Sequence, residues 1–195
     1  MKLKKRLAVI KRAGRVALAV LTIQLVGASA AQASGGAAQG GVEGEARAAL
    51  QQAFERLRAG DYGGVYDALP TASQRRVTRA RFVEALGKAR AHFELNGMEI
   101  ERAHVVGNLA AVDTVVYATV RKPIEAEGKI VSRQYMVREG GRWRVTTGDG
   151  STVRPLLAAN PAFARQYPAT EPRVYLKRDG RWINLSALQG TRRRK

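Results

Sequence analysis

Asp113 is the one acid embedded in a strongly apolar segment, Leu109 to Arg121, and Tyr117 follows it four residues on. In a strand, residues two and four apart share a face. Asp113, Val115 and Tyr117 then point one way, and Val112, Thr114 and Val116 the other. A carboxylate held in apolar surroundings is a stronger base, and a phenol beside it can donate to a developing enolate. If this face lines a pocket, Asp113 and Tyr117 are the base and donor of a proton transfer. If it meets water, they are ordinary strand polars. Arg133 and Tyr135 share one face of the next predicted strand, which fits a polar, wet surface.

Other chemistries have less to work with. There is no cysteine, which removes thiol nucleophiles, disulfides and thiolate metal sites. With two histidines and no G-x-S-x-G, nothing points to a Ser-His-Asp arrangement. His92, Glu94, Glu99, Glu101 and His104 are dense enough to suggest a metal site. Strict alternation places Glu99 and Glu101 on one face and Met98, Ile100, Arg102 and His104 on the other, so the ligands diverge and no metal is expected. No cofactor is expected either. Tyr66, Phe82, Phe93 and Trp143 read first as core. Tyr66, Tyr117, Tyr135 and Trp143 are the candidates for lining a ligand pocket.

These residues sit behind a distinctive N-terminus. Met1 to Arg15 holds seven basic residues and no acid, Val16 to Gly27 is apolar apart from Thr22 and Gln24, and two A-x-A sites follow, Ala28 to Ala30 and Ala31 to Ala33. That order is the order of a secretory signal peptide. A spanning helix needs about 20 apolar residues, and this run is shorter. Residues 1–33 are therefore expected to be cleaved, after Ala30 or Ala33, and the rest to be periplasmic or extracellular. The formal charge of +18 shrinks accordingly: without the signal, 27 basic residues face 16 acidic ones, and four of the 27 are Arg192, Arg193, Arg194 and Lys195. Such a basic tail reads first as an aid to solubility; outside the cytoplasm, anionic polymers or a lipid surface are its candidate partners. A nucleic-acid partner is not expected, because aromatic residues do not interleave along a basic strand face.

The remaining chain is one domain's worth. Residues 34–42 are a small, Gly-rich linker. Residues 43–59 show helical spacing of Ala46, Leu50, Ala53, Phe54 and Leu57, closed by Gly60. A turn through Val65 and Tyr66 follows. Thr71 with Gln74 resembles a capping box for a short helix over 71–77. The spacing of Phe82, Val83, Leu86, Ala89 and Phe93 predicts a helix over 79–93, closed by Asn96-Gly97. From Met98 the period becomes two, and the chain reads as an antiparallel meander: 98–106, 109–121, 129–139 and 142–147. Helices first and strands after is an α+β arrangement. Tyr135 to Trp143 is echoed by Tyr175 to Trp182, so a second hairpin is expected to extend the sheet or pack beside it, after a short helix near 161–166.

The helix followed by Gly60-Asp61-Tyr62, then Tyr66-Asp67-Ala68-Leu69, a helix with Phe82, and strands ending in Gly141-Arg142-Trp143-Arg144-Val145 resembles the NTF2-like superfamily. The order is most similar to the NTF2-like N-terminal domain of MecA-type penicillin-binding proteins. The resemblance spans residues 43–148, leaving 149–190 as a C-terminal extension and 191–195 as a basic tail. It implies a curved antiparallel sheet wrapped around helices, a cone with a pocket at its wide end, and a sheet face that serves a homodimer or is covered by the extra hairpin. Transpeptidase motifs are missing, with no Ser-x-x-Lys and no Lys-Thr-Gly. The expected role is a non-catalytic binding module of the cell envelope, holding a small apolar ligand or an envelope protein. The alternatives are an isomerase or cyclase centred on Asp113 and Tyr117, and an adaptor for anionic polymers or membrane surface acting through Arg192 to Lys195.

Overall fold

The computed structural model describes residues 40–122 and 125–186. The expected signal peptide, residues 34–39, Pro123 and the basic tail lie outside these residues. The first helix, α1 (Gly40–Ala59), starts three residues inside the stretch expected to be linker. It buries Ala46, Leu50, Ala53, Phe54 and Leu57 along one stripe and ends at Gly60, whose φ of 83° suits glycine alone. Asp61 caps α2 (Tyr62–Asp67) by accepting from the Gly64 N–H at 2.8 Å.

The short α3 (Thr71–Gln74) forms without the expected capping box. The Gln74 amide instead donates to the Tyr66 carbonyl at 3.0 Å, and the Thr71 N–H and hydroxyl both donate to the Glu139 carboxylate, at 3.0 and 2.8 Å. These bonds tie α3 to α2 and to the sheet rather than closing it on itself. Thr78 caps α4 (Arg79–Arg90), which buries Phe82, Leu86 and Ala89. That helix stops at Arg90. Asn96-Gly97, expected to close it, lies inside the first strand at a register shift.

Strands β1 (Phe93–Val106), β2 (Leu109–Val120) and β3 (Ala126–Glu139) pair consecutively and antiparallel. Two strands share the outer edge of β3. Strand β4 (Arg142–Val145) pairs with Met136 to Glu139, and β5 (Arg173–Arg178) with Gly128 to Val131. Strand β6 (Arg181–Asn184) pairs with β5 and forms the sheet's edge. The second hairpin thus extends the sheet. Between β4 and β5 run α5 (Gly150–Ala159), which the sequence reading had not placed, and α6 (Pro161–Gln166).

The architecture is α+β: α1 to α4 on one face of a curved six-stranded antiparallel sheet, with α5 and α6 on the other. The first face carries Ala110, Val112, Val116, Ala118, Ile130 and Met136 against Leu50, Phe54 and Leu57 of α1. Each large side chain fully buried there contributes roughly 1.5–3 kcal/mol. The second face carries Ala111 and Tyr135 against Val153, Leu157 and Phe163 of α5 and α6.

Helix α5 contains Pro155. Proline has no N–H for the carbonyl four residues earlier, which is Ser151. That carbonyl accepts instead from the Arg76 guanidinium, so the helix's own defect ties it to the α3–α4 connection.

Candidate functional site

Asp113 and Tyr117 lie on the second face of the sheet, away from α1 to α4. Asp113 stands directly opposite Arg133 in the β2–β3 ladder. The guanidinium donates to both carboxylate oxygens, Nε to Oδ1 at 2.8 Å and Nη2 to Oδ2 at 3.0 Å. The side chains are about a quarter exposed or less, 24% for Asp113 and 18% for Arg133. The hydrogen bond that Arg133 donates to Asp113 raises the guanidinium's pKa above its ordinary value, against the effect of burial. Tyr117 has a different partner: its hydroxyl donates to Glu99 at 3.1 Å. Burial, then that bond, pushes the phenol's pKa up. The fold gives these two residues separate partners and places Asp113 in an ion pair.

The aromatic candidates are also tied into the framework. The Tyr66 hydroxyl donates to the Gln74 and Val77 carbonyls, and its ring meets Phe82 at 5.6 Å between centroids. Tyr135 is 2% exposed and donates to the Pro168 carbonyl at 2.8 Å and the Tyr167 carbonyl at 3.2 Å. Burial pushes its pKa up, in opposition to the Arg133 charge. Trp143 is buried in the first core with Arg138 over its ring, and its Nε1–H has no hydrogen-bond partner among the described residues.

Strict alternation fails in β1. Register shifts at Asn96 and Glu101 change which face each residue takes. Ile100 opposes Thr114 on the core face, and Arg102 and His104 oppose Asp113 and Ala111 on the second face. Arg102 and His104 therefore share a face with Glu99, not with Ile100. His104 stacks on Tyr167 at 5.0 Å, and Glu94 pairs with Arg121. Among the described residues no group of three His, Asp or Glu side chains is placed to hold a metal.

A cleft that the sequence reading missed lies in the seam between α3, the Glu139 end of β3 and α5. Its volume is about 380 Å³, and its walls include Pro70, Ala72, Val137, Pro155 and Leu156. Thr146 lines it too. This residue is 3% exposed, and its hydroxyl has no hydrogen-bond partner among the described residues. Arg76 and Glu139 stand in the walls with their contacts to Ser151 and Thr71 already made. The seam exists because α5 packs there, and Pro155 inside a Gly-led stretch hid that helix from periodicity. A smaller cleft of about 120 Å³ is lined by Leu57, Leu86, Phe93, Arg58, Arg90 and Arg121.

Basic and aromatic residues do interleave, along β5 through Tyr175 and Lys177 and across to β3 and β6. Lys129 Nζ lies 4.8 Å from the Trp182 ring centroid and 5.4 Å from that of Tyr175. Lys177 Nζ lies 5.9 Å from Trp182. The expectation of no such face is corrected by the β3–β5–β6 pairing. Among the described residues no helix is long and apolar enough to cross a membrane.

No family model matches the sequence, and no curated protein matches it. Similar solved structures include a SEC-C motif containing protein from Rhodopseudomonas palustris, with 9% identity and a TM-score of 0.42, covering 51% of this chain and 73% of that one. They also include a Campylobacter jejuni protein named an NTF2-like transpeptidase, with 11% identity and a TM-score of 0.33, covering 47% of this chain and 88% of that one.

Proposed function

We propose that this chain is an exported, non-catalytic binding module of a bacterial cell envelope, NTF2-like over residues 43–148, holding a small, mainly apolar ligand in the α3–α5 seam. The observation that carries this reading is the cleft itself: about 380 Å³ of mostly apolar lining, with Arg76 and Glu139 as charged groups in its walls. Ligand pockets of this size are typically apolar with a few polar groups that set orientation. The basic, apolar, small-residue order of residues 1–33 supports export. Proton-transfer catalysis at Asp113 would require its carboxylate to leave Arg133, which weighs against the isomerase or cyclase alternative.

The test uses N-phenyl-1-naphthylamine, a neutral dye that fluoresces in apolar sites. The full chain is expected to bind it, and Leu156→Trp, which fills the cleft, is expected to weaken binding at least about tenfold. Equal binding by the two proteins would remove the cleft from the reading. Fractionation of cells carrying the full chain, with and without residues 2–15, tests export separately.

A further inference from the structure

We propose that the β5–β6 hairpin, together with Lys129, is a docking surface for a bilayer bearing anionic phospholipid. It is a second surface, distinct from the seam cleft, and does not depend on that cleft holding a ligand.

Register places Lys129 opposite Tyr175, and Lys177 opposite Trp182. Side chains on adjacent strands at such positions share a face. Lys129, Tyr175, Lys177 and Trp182 thus form one cationic and aromatic surface at the sheet's edge. The acid among them, Glu127, is held by Lys177 at 2.8 Å. The apolar contacts of α5 and α6 with the sheet gather around Tyr135 and Ala111, at the other end of β2 and β3. Trp182 is 36% exposed and Ile183 37%. They are consecutive in a four-residue edge strand, so they leave its two opposite faces. An edge carrying a Trp on one side and an Ile on the other suits entry into the headgroup layer of a membrane, where amphipathic rings settle. Arg192 to Lys195 follow Asn184 by eight residues, a span of at most about 29 Å fully extended. Basic clusters of this kind in a sequence are attracted to anionic leaflets.

Single-stranded nucleic acid is the competing polyanion. It would need free ring faces for stacking, whereas the Trp182 and Tyr175 rings here carry the Lys129 ammonium. That geometry favours the lipid surface.

Trp182 is its own reporter, because the other tryptophan, Trp143, is 7% exposed. Acrylamide quenching of the full chain would be measured in buffer, with phosphatidylcholine vesicles, and with vesicles containing about one-third phosphatidylglycerol. Trp182→Phe identifies its share of the emission. Quenching of Trp182 is expected to fall about threefold on the anionic vesicles only, and high salt is expected to restore it. Replacing Lys129 and Lys177 by Gln should raise the lipid needed for half-protection about tenfold. Trp182 remaining as quenchable on anionic vesicles as in buffer would overturn the proposal, even if the chain sediments with them through another segment. Protection by a single-stranded oligonucleotide but not by vesicles would overturn it in favour of nucleic acid.

Discussion

Arg133 faces Asp113 across the β2–β3 ladder and holds both of its carboxylate oxygens, in a position three-quarters withdrawn from water. Removing one partner of such a pair strands the other, which costs more than the pair contributes. Arg133→Ala is expected to destabilise the fold by about 2–3 kcal/mol, and the double Asp113→Ala, Arg133→Ala variant by less than the sum of the singles. Urea unfolding of the four proteins measures this. Additivity would mean that solvent already screens the pair.

Tyr135 is the bolt between the extension and the sheet. Its hydroxyl serves the Tyr167 and Pro168 carbonyls, and its ring meets Phe163 edge-on at 6.4 Å. Tyr135→Phe keeps the ring and loses the donor, so about 1 kcal/mol is expected to go. The loss should be local. Limited proteolysis is expected to speed up between α6 and β5 while α1 and β2 stay protected. Uniform protection in both proteins would show that ring packing alone holds the extension.

Asp149 starts α5 and accepts from the Ser151 and Thr152 N–H groups at 2.7 and 3.1 Å. Burial pushes its carboxyl up, but the bonds from Ser151, Thr147 and Thr152 outweigh this and leave its pKa below the ordinary 3.8. A carboxyl whose pKa is lowered by folding stabilises above its unfolded pKa, and that contribution is lost as pH falls through the folded value. Asp149→Ala is expected to cost about 1 kcal/mol at neutral pH, with the difference from the parent protein shrinking below about pH 4. A difference that does not change with pH would show that the charge is not what stabilises α5.

Where the sequence can be read correctly, one face of an element is buried against one neighbour. The α1 stripe from Ala46 to Leu57 and the α4 stripe of Phe82, Leu86 and Ala89 are of this kind. The Gly107 and Gly140-Gly141 turns are also legible, because their positive φ demands glycine. Misreadings come from features that involve distant partners. Gln74 completes no capping box because Tyr66 takes its amide, and α5 tolerates Pro155 because Arg76 reaches Ser151. The seam cleft, the shared edge of β3 and the cationic ring cluster all depend on where the extension returns, which no local pattern specifies. Alternation puts Asp113 and Tyr117 on one face, but it marks Arg133 only as a sign that the face is wet, because the partner of Asp113 is set by the β2–β3 register.

Glu101 interrupts the β1–β2 ladder and so sets which face each later residue of β1 takes. Ile100 opposes Thr114 and Arg102 opposes Asp113, so Glu101 is the extra residue in the ladder. Its deletion leaves a regular ladder in which Ile100 and Ala103 still face the core and Arg102 and His104 still face outward. Deleting Val105 also removes one residue, but a ladder held at the Gly107 turn then places His104 and Arg102 on the core face opposite Ala110 and Val112. Deletion of Glu101 is therefore expected to cost about 1–2 kcal/mol and to keep a cooperative melt by circular dichroism. Deletion of Val105 is expected to abolish that melt, because two polar side chains would replace Ala103 and Val105 against α1. If both deletions unfold alike, the fold depends on the curvature the bulge imposes, and not merely on which side chains it sends to each face.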